Sequence, residues 1–211
     1  MNGRHRKPRR FGLPGKLTLS LAVLATTASL ATAATYASWT SSASQSPTVS
    51  SGTVTVNLGA TGASTNRLNV NATGIAPGDT IKRSVDLINA GSLDLASITL
   101  TTTATASSAL DTDTTNGLQF QIDVCSQAWT ESGSSPAFSY VCGGSTSAVL
   151  ASRAIIGNTL ALSNLAATTH GVTDHLLVTI TFPGGVGTTL QGLSSTVQFT
   201  FTGTQRAGSA H

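Results

Sequence analysis

The chain has 211 residues, 39% of them hydrophobic and only 9% charged, with a formal net charge of +3. Six of its eleven Lys and Arg precede residue 34, so beyond that point five bases face all eight acids and the balance is −3. Only Lys82 and Arg83 are adjacent bases there, which forms no basic face and excludes nucleic acid as a partner.

Arg4, Arg6, Lys7, Arg9, Arg10 and Lys16 lead into an apolar run from Leu17 to Leu30 and then Ala31, Thr32 and Ala33. Positive charge, a short apolar stretch and an A-x-A site predict a secretory signal helix over residues 1–33. The run is too short and too rich in Thr and Ala for a bilayer span, which needs about 20 apolar residues. An uncleaved anchor is the alternative. Cleavage after Ala33 and cleavage after Ala37 both fit. The expectation is a chain exported to the cell surface or matrix, with signal peptidase as a partner during export and no stable membrane span after processing.

Residues 34–52 form a Ser-rich segment that suits a flexible linker, because Ser competes for backbone hydrogen bonds and Pro47 lacks a donor. From residue 53 a period of two takes over. Val54, Val56 and Leu58 alternate with polar neighbours, as do Leu118, Phe120, Ile122 and Val124, then Leu176, Val178, Ile180 and Phe182 against Leu177, Thr179 and Thr181, and finally Val197, Phe199 and Phe201. Further strands are expected over 68–72, 81–89, 98–104, 138–141 and 159–165. Turn signals such as Pro77-Gly78-Asp79, Asn116-Gly117 and Pro183-Gly184-Gly185 separate them. Residues 148–155 could form a short helix. Eight or nine strands must bury their apolar faces against one another. The predicted fold is therefore all-β, a two-sheet antiparallel sandwich of jelly-roll type over residues 53–206, with at most one or two short helices and a tail over 207–211.

Cys125 and Cys142 both lie in the exported part, where a disulfide is the simplest reading. Closing a loop of that size stabilises by about 3 kcal/mol in the chain-entropy model. A reactive or metal-binding pair is the alternative, although the spacing is not C-x-x-C.

The run from Asn71 to Asp94, with Pro77, Gly78 and Asp79 at a turn and Asn89-Ala90-Gly91-Ser92-Leu93 after the strand, resembles the TasA/camelysin family of proteins secreted by Gram-positive bacteria. Ala34, Thr35, Tyr36, Ala37, Ser38, Trp39 and Thr40 resemble that family's signal junction, and residues 199–206 its last strand. The resemblance implies a jelly-roll-like sandwich and assembly into fibres of the biofilm matrix, through self-association or with other matrix proteins. Residues 34–40 of one subunit would add as a strand to the sheet of the next. Tyr36 and Trp39 have opposite parity, so a single face of that strand carries only one of them. Taken without the family, Pro77 presets φ, Gly78 permits positive φ and Asp79 accepts from nearby amides, which reads as a sandwich turn.

Camelysin carries a metallopeptidase label, so the resemblance also implies a metal-dependent active site. No H-E-x-x-H is present. His170 and His175, with Asp174 between them, are imaginable as zinc ligands, but an i, i+5 pair entering a strand points to opposite faces, and solvated loop histidines are the expectation. Residues 111–117, with Asp111, Asp113, Asn116 and Gly117, have the flavour of a calcium loop without the EF-hand spacing, and a solvated turn is expected. No Gly-x-Ser-x-Gly occurs. The sequence thus assigns no catalytic residue, no metal site and no cofactor. It favours a structural fibre subunit over a secreted metalloendopeptidase or a non-polymerising surface-binding module.

Overall fold

The structure, a computed structural model, describes residues 52–69, 71, 74–186 and 188–208. The signal and the candidate donor segment, residues 34–40, lie outside the described residues. The described residues form ten strands: β1 (Val56–Leu58), β2 (Thr80–Asn89), β3 (Leu95–Ala106), β4 (Gln119–Cys125), β5 (Trp129–Ser134), β6 (Ala137–Cys142), β7 (Thr146–Ala154), β8 (Gly157–Ala161), β9 (Thr173–Thr181) and β10 (Thr196–Gln205). One turn of helix, α1 (Ala109–Thr112), and a 3-10 turn at Thr188–Leu190 complete them.

All strand pairs are antiparallel, and the fold is all-β, as the period-two pattern predicts. A five-stranded sheet in the order β1-β2-β9-β4-β7 faces a three-stranded sheet β10-β3-β8, while β5 and β6 form a separate hairpin. Register explains the core. Val85 lies opposite Leu176, which lies opposite Val124. Ile81, Ile180 and Phe120 form a parallel row. Alternate residues of three neighbouring strands thus converge on one face. Ile98, Leu100 and Leu160 join the same buried cluster from the second sheet. Phe120 meets Phe199 edge-on, with ring centroids 5.9 Å apart.

Three local expectations are corrected. Residues 148–155 are not helical: they belong mostly to β7, whose pairing with β4 overrides the helix propensity of its alanines. Leu68 and Asn69 lie in a turn instead of a strand, and Asn66 makes a single bridge to Val85. The strand expected over 159–165 spans Gly157–Ala161 and stops before Asn164, whose φ is +55°. The sequence also gave no sign of β5, whose Thr, Glu, Ser and Gly residues carry little apolar alternation.

Both ends of the sandwich domain emerge together. Ala90 N donates to Thr55 O and Ser92 N to Thr53 O, so the entering chain pairs with the β2–β3 connection. The outgoing end lies beside it, because Gln205 pairs with Leu95. The opposite end of the sandwich holds Thr80, Ala106 and Thr196.

Phe120 is 1% exposed at the centre of the core. Phe120→Ala is expected to cost about 4 kcal/mol through lost transfer energy and cavity formation. Urea unfolding should show this as a lower midpoint at unchanged m-value.

Candidate functional site

The Pro77-Gly78-Asp79 motif forms a turn in which Asp79 N donates to Ala76 O at 3.0 Å and Gly78 takes φ +97°. Asp79 Oδ2 accepts from Ala76 N at 2.7 Å. Gly78 N and Phe182 O, with Phe182 N and Asp79 O, close the β2–β9 ladder beyond its last strand pair. This motif fixes the start of β2.

The second motif is a clasp. Asn89 is fully buried, and its Nδ2 donates to Leu93 O at 3.1 Å while its Oδ1 accepts from Gly91 N at 3.1 Å. Its backbone is bonded to Val172 and Gly171 in the connection to β9. A Cβ on Gly91 would lie 2.4 Å from Thr53 O, which explains the glycine where the entering chain crosses. Ser92 Oγ accepts from Thr53 N at 3.0 Å.

The histidines are separated. His170 sits in an exposed turn, its Nδ1 2.8 Å from Asp94 Oδ1. His175 is not the solvated loop residue expected: it is half-buried on β9, its Nδ1 2.7 Å from Asp86 Oδ1 on β2. Asp174 is buried and accepts from Ala166 N and Ala167 N at 3.0 and 2.7 Å. The Asp111–Gly117 loop is also not a solvated turn throughout. Asp111 is 4% exposed and caps α1, accepting from Ser108 N, Ser107 Oγ and Ser195 Oγ at 2.7, 2.8 and 2.6 Å. Burial alone would raise its pKa, but these donors together hold the carboxyl below its ordinary value. Asp113 accepts from the amides of Asn116 and Thr115, which lower its pKa likewise.

The disulfide expected from the sequence is present, whereas the side-chain cluster on the hairpin it anchors had no signal there. Cys125 and Cys142 are joined by a disulfide, with sulfurs 1.90 Å apart, which ties the β5–β6 hairpin to the end of β4. On that hairpin Glu131 accepts from Arg67 Nε and Nη2 at 2.9 and 2.5 Å and from Tyr140 Oη at 2.9 Å. The Arg67 hydrogen bonds hold Glu131 below the usual carboxylate range. Both Arg67 and Arg83 lie over the Phe138 ring, at 4.6 and 5.7 Å from its centroid.

The remaining feature is an edge. β10 ends the three-stranded sheet, and among the described residues no strand pairs with its outer side. Its ten residues, TVQFTFTGTQ, carry no charge and no proline, and its pairing with β3 runs without a register shift from Val197 to Thr204. Val197, Phe199 and Phe201 are only half-buried against the core. Natural edges are blunted by brevity, charge, proline or bulges, and the middle of β10 has none of these.

Among the described residues these features define an antiparallel sandwich with one long uncapped edge, and with residues 53 and 205 at the same end. The chain belongs to the camelysin metallo-endopeptidase family, whose model matches residues 13–210. No curated protein matches it. A solved structure titled "AvmM Catalyzes Macrocyclization in Alchivemycin A Biosynthesis" is similar at 11% identity over 74% of this chain and 91% of its own, with a TM-score of 0.30, too low to carry an argument.

The family's description implies a metal. Among the described residues no group of three or more His, Cys, Asp or Glu is placed to hold one, and His170 and His175 each face a different carboxylate. The described residues do not fit a metal centre.

Lowered carboxylate pKa values at Asp111 and Glu131 contribute stability that is present above the unfolded-state range and is lost as pH falls through the folded values. Thermal unfolding midpoints should therefore drop below about pH 4. Asp111→Asn should cost about 2 kcal/mol at neutral pH and flatten the acid limb of that profile.

Proposed function

We propose that this chain is a secreted structural subunit of an extracellular or surface fibre, and that subunits join by strand addition. The donor is the segment Ala34, Thr35, Tyr36, Ala37, Ser38, Trp39 and Thr40 of one copy, and the acceptor is the outer side of β10 in the next. The observation that carries this reading is β10 itself: a long, uncharged edge strand whose amides and carbonyls offer a ladder to an incoming segment. Its half-buried Val197, Phe199 and Phe201 leave apolar surface that an added strand would cover.

Placement supports the same reading. The entering chain crosses at the Asn89–Gly91 clasp, at the end of the sandwich where β10 finishes. The twelve residues from 41 to 52 reach roughly 40 Å when extended, which is enough to carry a donor along the next copy stacked on that end. In such a stack the donor descends while β10 ascends, so the added strand runs antiparallel.

Electron microscopy of the processed protein tests this. The full mature chain should form fibres, and a form lacking residues 34–40 should stay monomeric. Thr200→Lys with Thr202→Lys, which charges the edge at two exposed positions, should also abolish fibres while leaving the unfolding midpoint nearly unchanged. Fibres from the truncated form, or monomers from the mature form under assembly conditions, would overturn the donor assignment and favour a non-polymerising surface module.

The family description favours a second reading, a secreted metalloendopeptidase. Zinc analysis with a peptidase assay separates the two. Stoichiometric zinc, with activity lost in a His170→Ala/His175→Ala variant, would displace the structural role.

A further inference from the structure

β2 has two sides. One pairs with β9 from Thr80 to Ile88. On the other, β1 pairs with residues 87–89, while Gly59 N, Thr65 O and Arg67 N bond to Asp86 O, Asp86 N and Ser84 O. Backbone groups in a strand alternate sides, so Lys82, two residues before Ser84, points its own to this same side. There the ladder with residues 56–67 has ended. Lys82 O instead accepts from Arg83 Nη1 at 2.7 Å.

That guanidinium is held beneath the hairpin. It lies over Phe138 of β6, next to Arg67, whose partner Glu131 is on β5. Between hairpin and strand is a cleft of about 150 Å³ lined by Lys82, Arg83, Pro136 and Phe138 among others. The hairpin is fastened by the disulfide at one end of β6 and by Trp129 Nε1 donating to His175 O at 2.9 Å.

We infer that the β5–β6 hairpin is a disulfide-tethered cover that keeps the first half of β2 closed to strand addition, while the outer side of β10 stays open. The importance of this cover for assembly rests on the strand-addition reading, but the cover itself is a property of the single molecule. Its release needs a dithiol, which delivers two electrons and two protons to the Cys125–Cys142 bond, leaving two thiols and its own disulfide. The hairpin then rests on noncovalent contacts, and the Arg83 plug loses the lid that holds it over Lys82 O.

Hydrogen exchange on the monomeric mature protein tests the cover without any fibre being formed. In Cys125→Ser/Cys142→Ser, and independently in Phe138→Ala, amides of residues 82–86 and of the hairpin should exchange about tenfold faster, with those of Leu100 and Thr102 in β3 unchanged. Unchanged exchange at residues 82–86 in both variants overturns the proposal. So does acceleration spread evenly through β3 and β10, which would make the disulfide a staple of the whole fold. Sedimentation then tests the closed edge: with β10 blocked by Thr200→Lys/Thr202→Lys, removing the disulfide should restore self-association. A chain that stays monomeric despite fast exchange at residues 82–86 refutes a second edge.

Discussion

A single buried carboxamide holds this sandwich in the shape that matters. Asn89 ends β2, which contributes Val85 and Leu87 to the core, and it must satisfy two donors and an acceptor where water is excluded. It does so by joining two pieces of chain: Leu93 O and Gly91 N in the connection to β3, and Thr168 O before β9. The consequence reaches past stability. Because residues 53–55 are bonded to 90–92, the described chain enters the domain beside the finish of β10.

The edges of the two sheets are treated differently. β7 is an exposed edge, but its carbonyls at Ala148 and Val149 accept from Asn164 and Ser163. Register shifts interrupt its pairing with β4. β2 is covered in turn by β1, by residues 59–67 and by the hairpin. β10 has a bulge at each extremity and an uninterrupted run between them. Those are the conditions under which an added strand finds a continuous ladder, and the interrupted pairing of β7 and the five-residue length of β8 offer less of one.

How much of this the sequence announces depends on the range of the interaction. Alternation in residues 118–124, 176–182 and 197–201 is a local property: the first two became neighbouring strands whose inward rows meet in register, and the third became β10 of the facing sheet. The Pro77-Gly78-Asp79 turn was legible for the same reason, since its chemistry is contained in four residues. The contacts that distinguish the site are not local. Arg67 and Glu131 are 64 residues apart, His175 and Asp86 are 89 apart, and nothing in the neighbourhood of either pair marks them as partners. The open side of β10 is legible only once strand order is known, because a strand's pattern is alike at a sheet's edge and in its interior. Residues 148–155 misled for the complementary reason: alanines favour a helix locally, and only the pairing with β4 decides otherwise.

The carboxylates carry the argument from fold to role. All eight acids of the chain fall among the described residues, and each accepts a hydrogen bond from a group within the fold. Asp79 closes the β2 turn, Asp94 and Asp86 face His170 and His175, and Asp111 and Asp113 cap and shape the loop after β3. Asp123 accepts from Gln121, Glu131 from Arg67 and Tyr140, and Asp174 from two successive amides. These bonds fix turns, caps and cross-strand pairs. Among the described residues the outer side of β10 pairs with no strand, so the longest edge of the smaller sheet keeps its backbone groups directed outward.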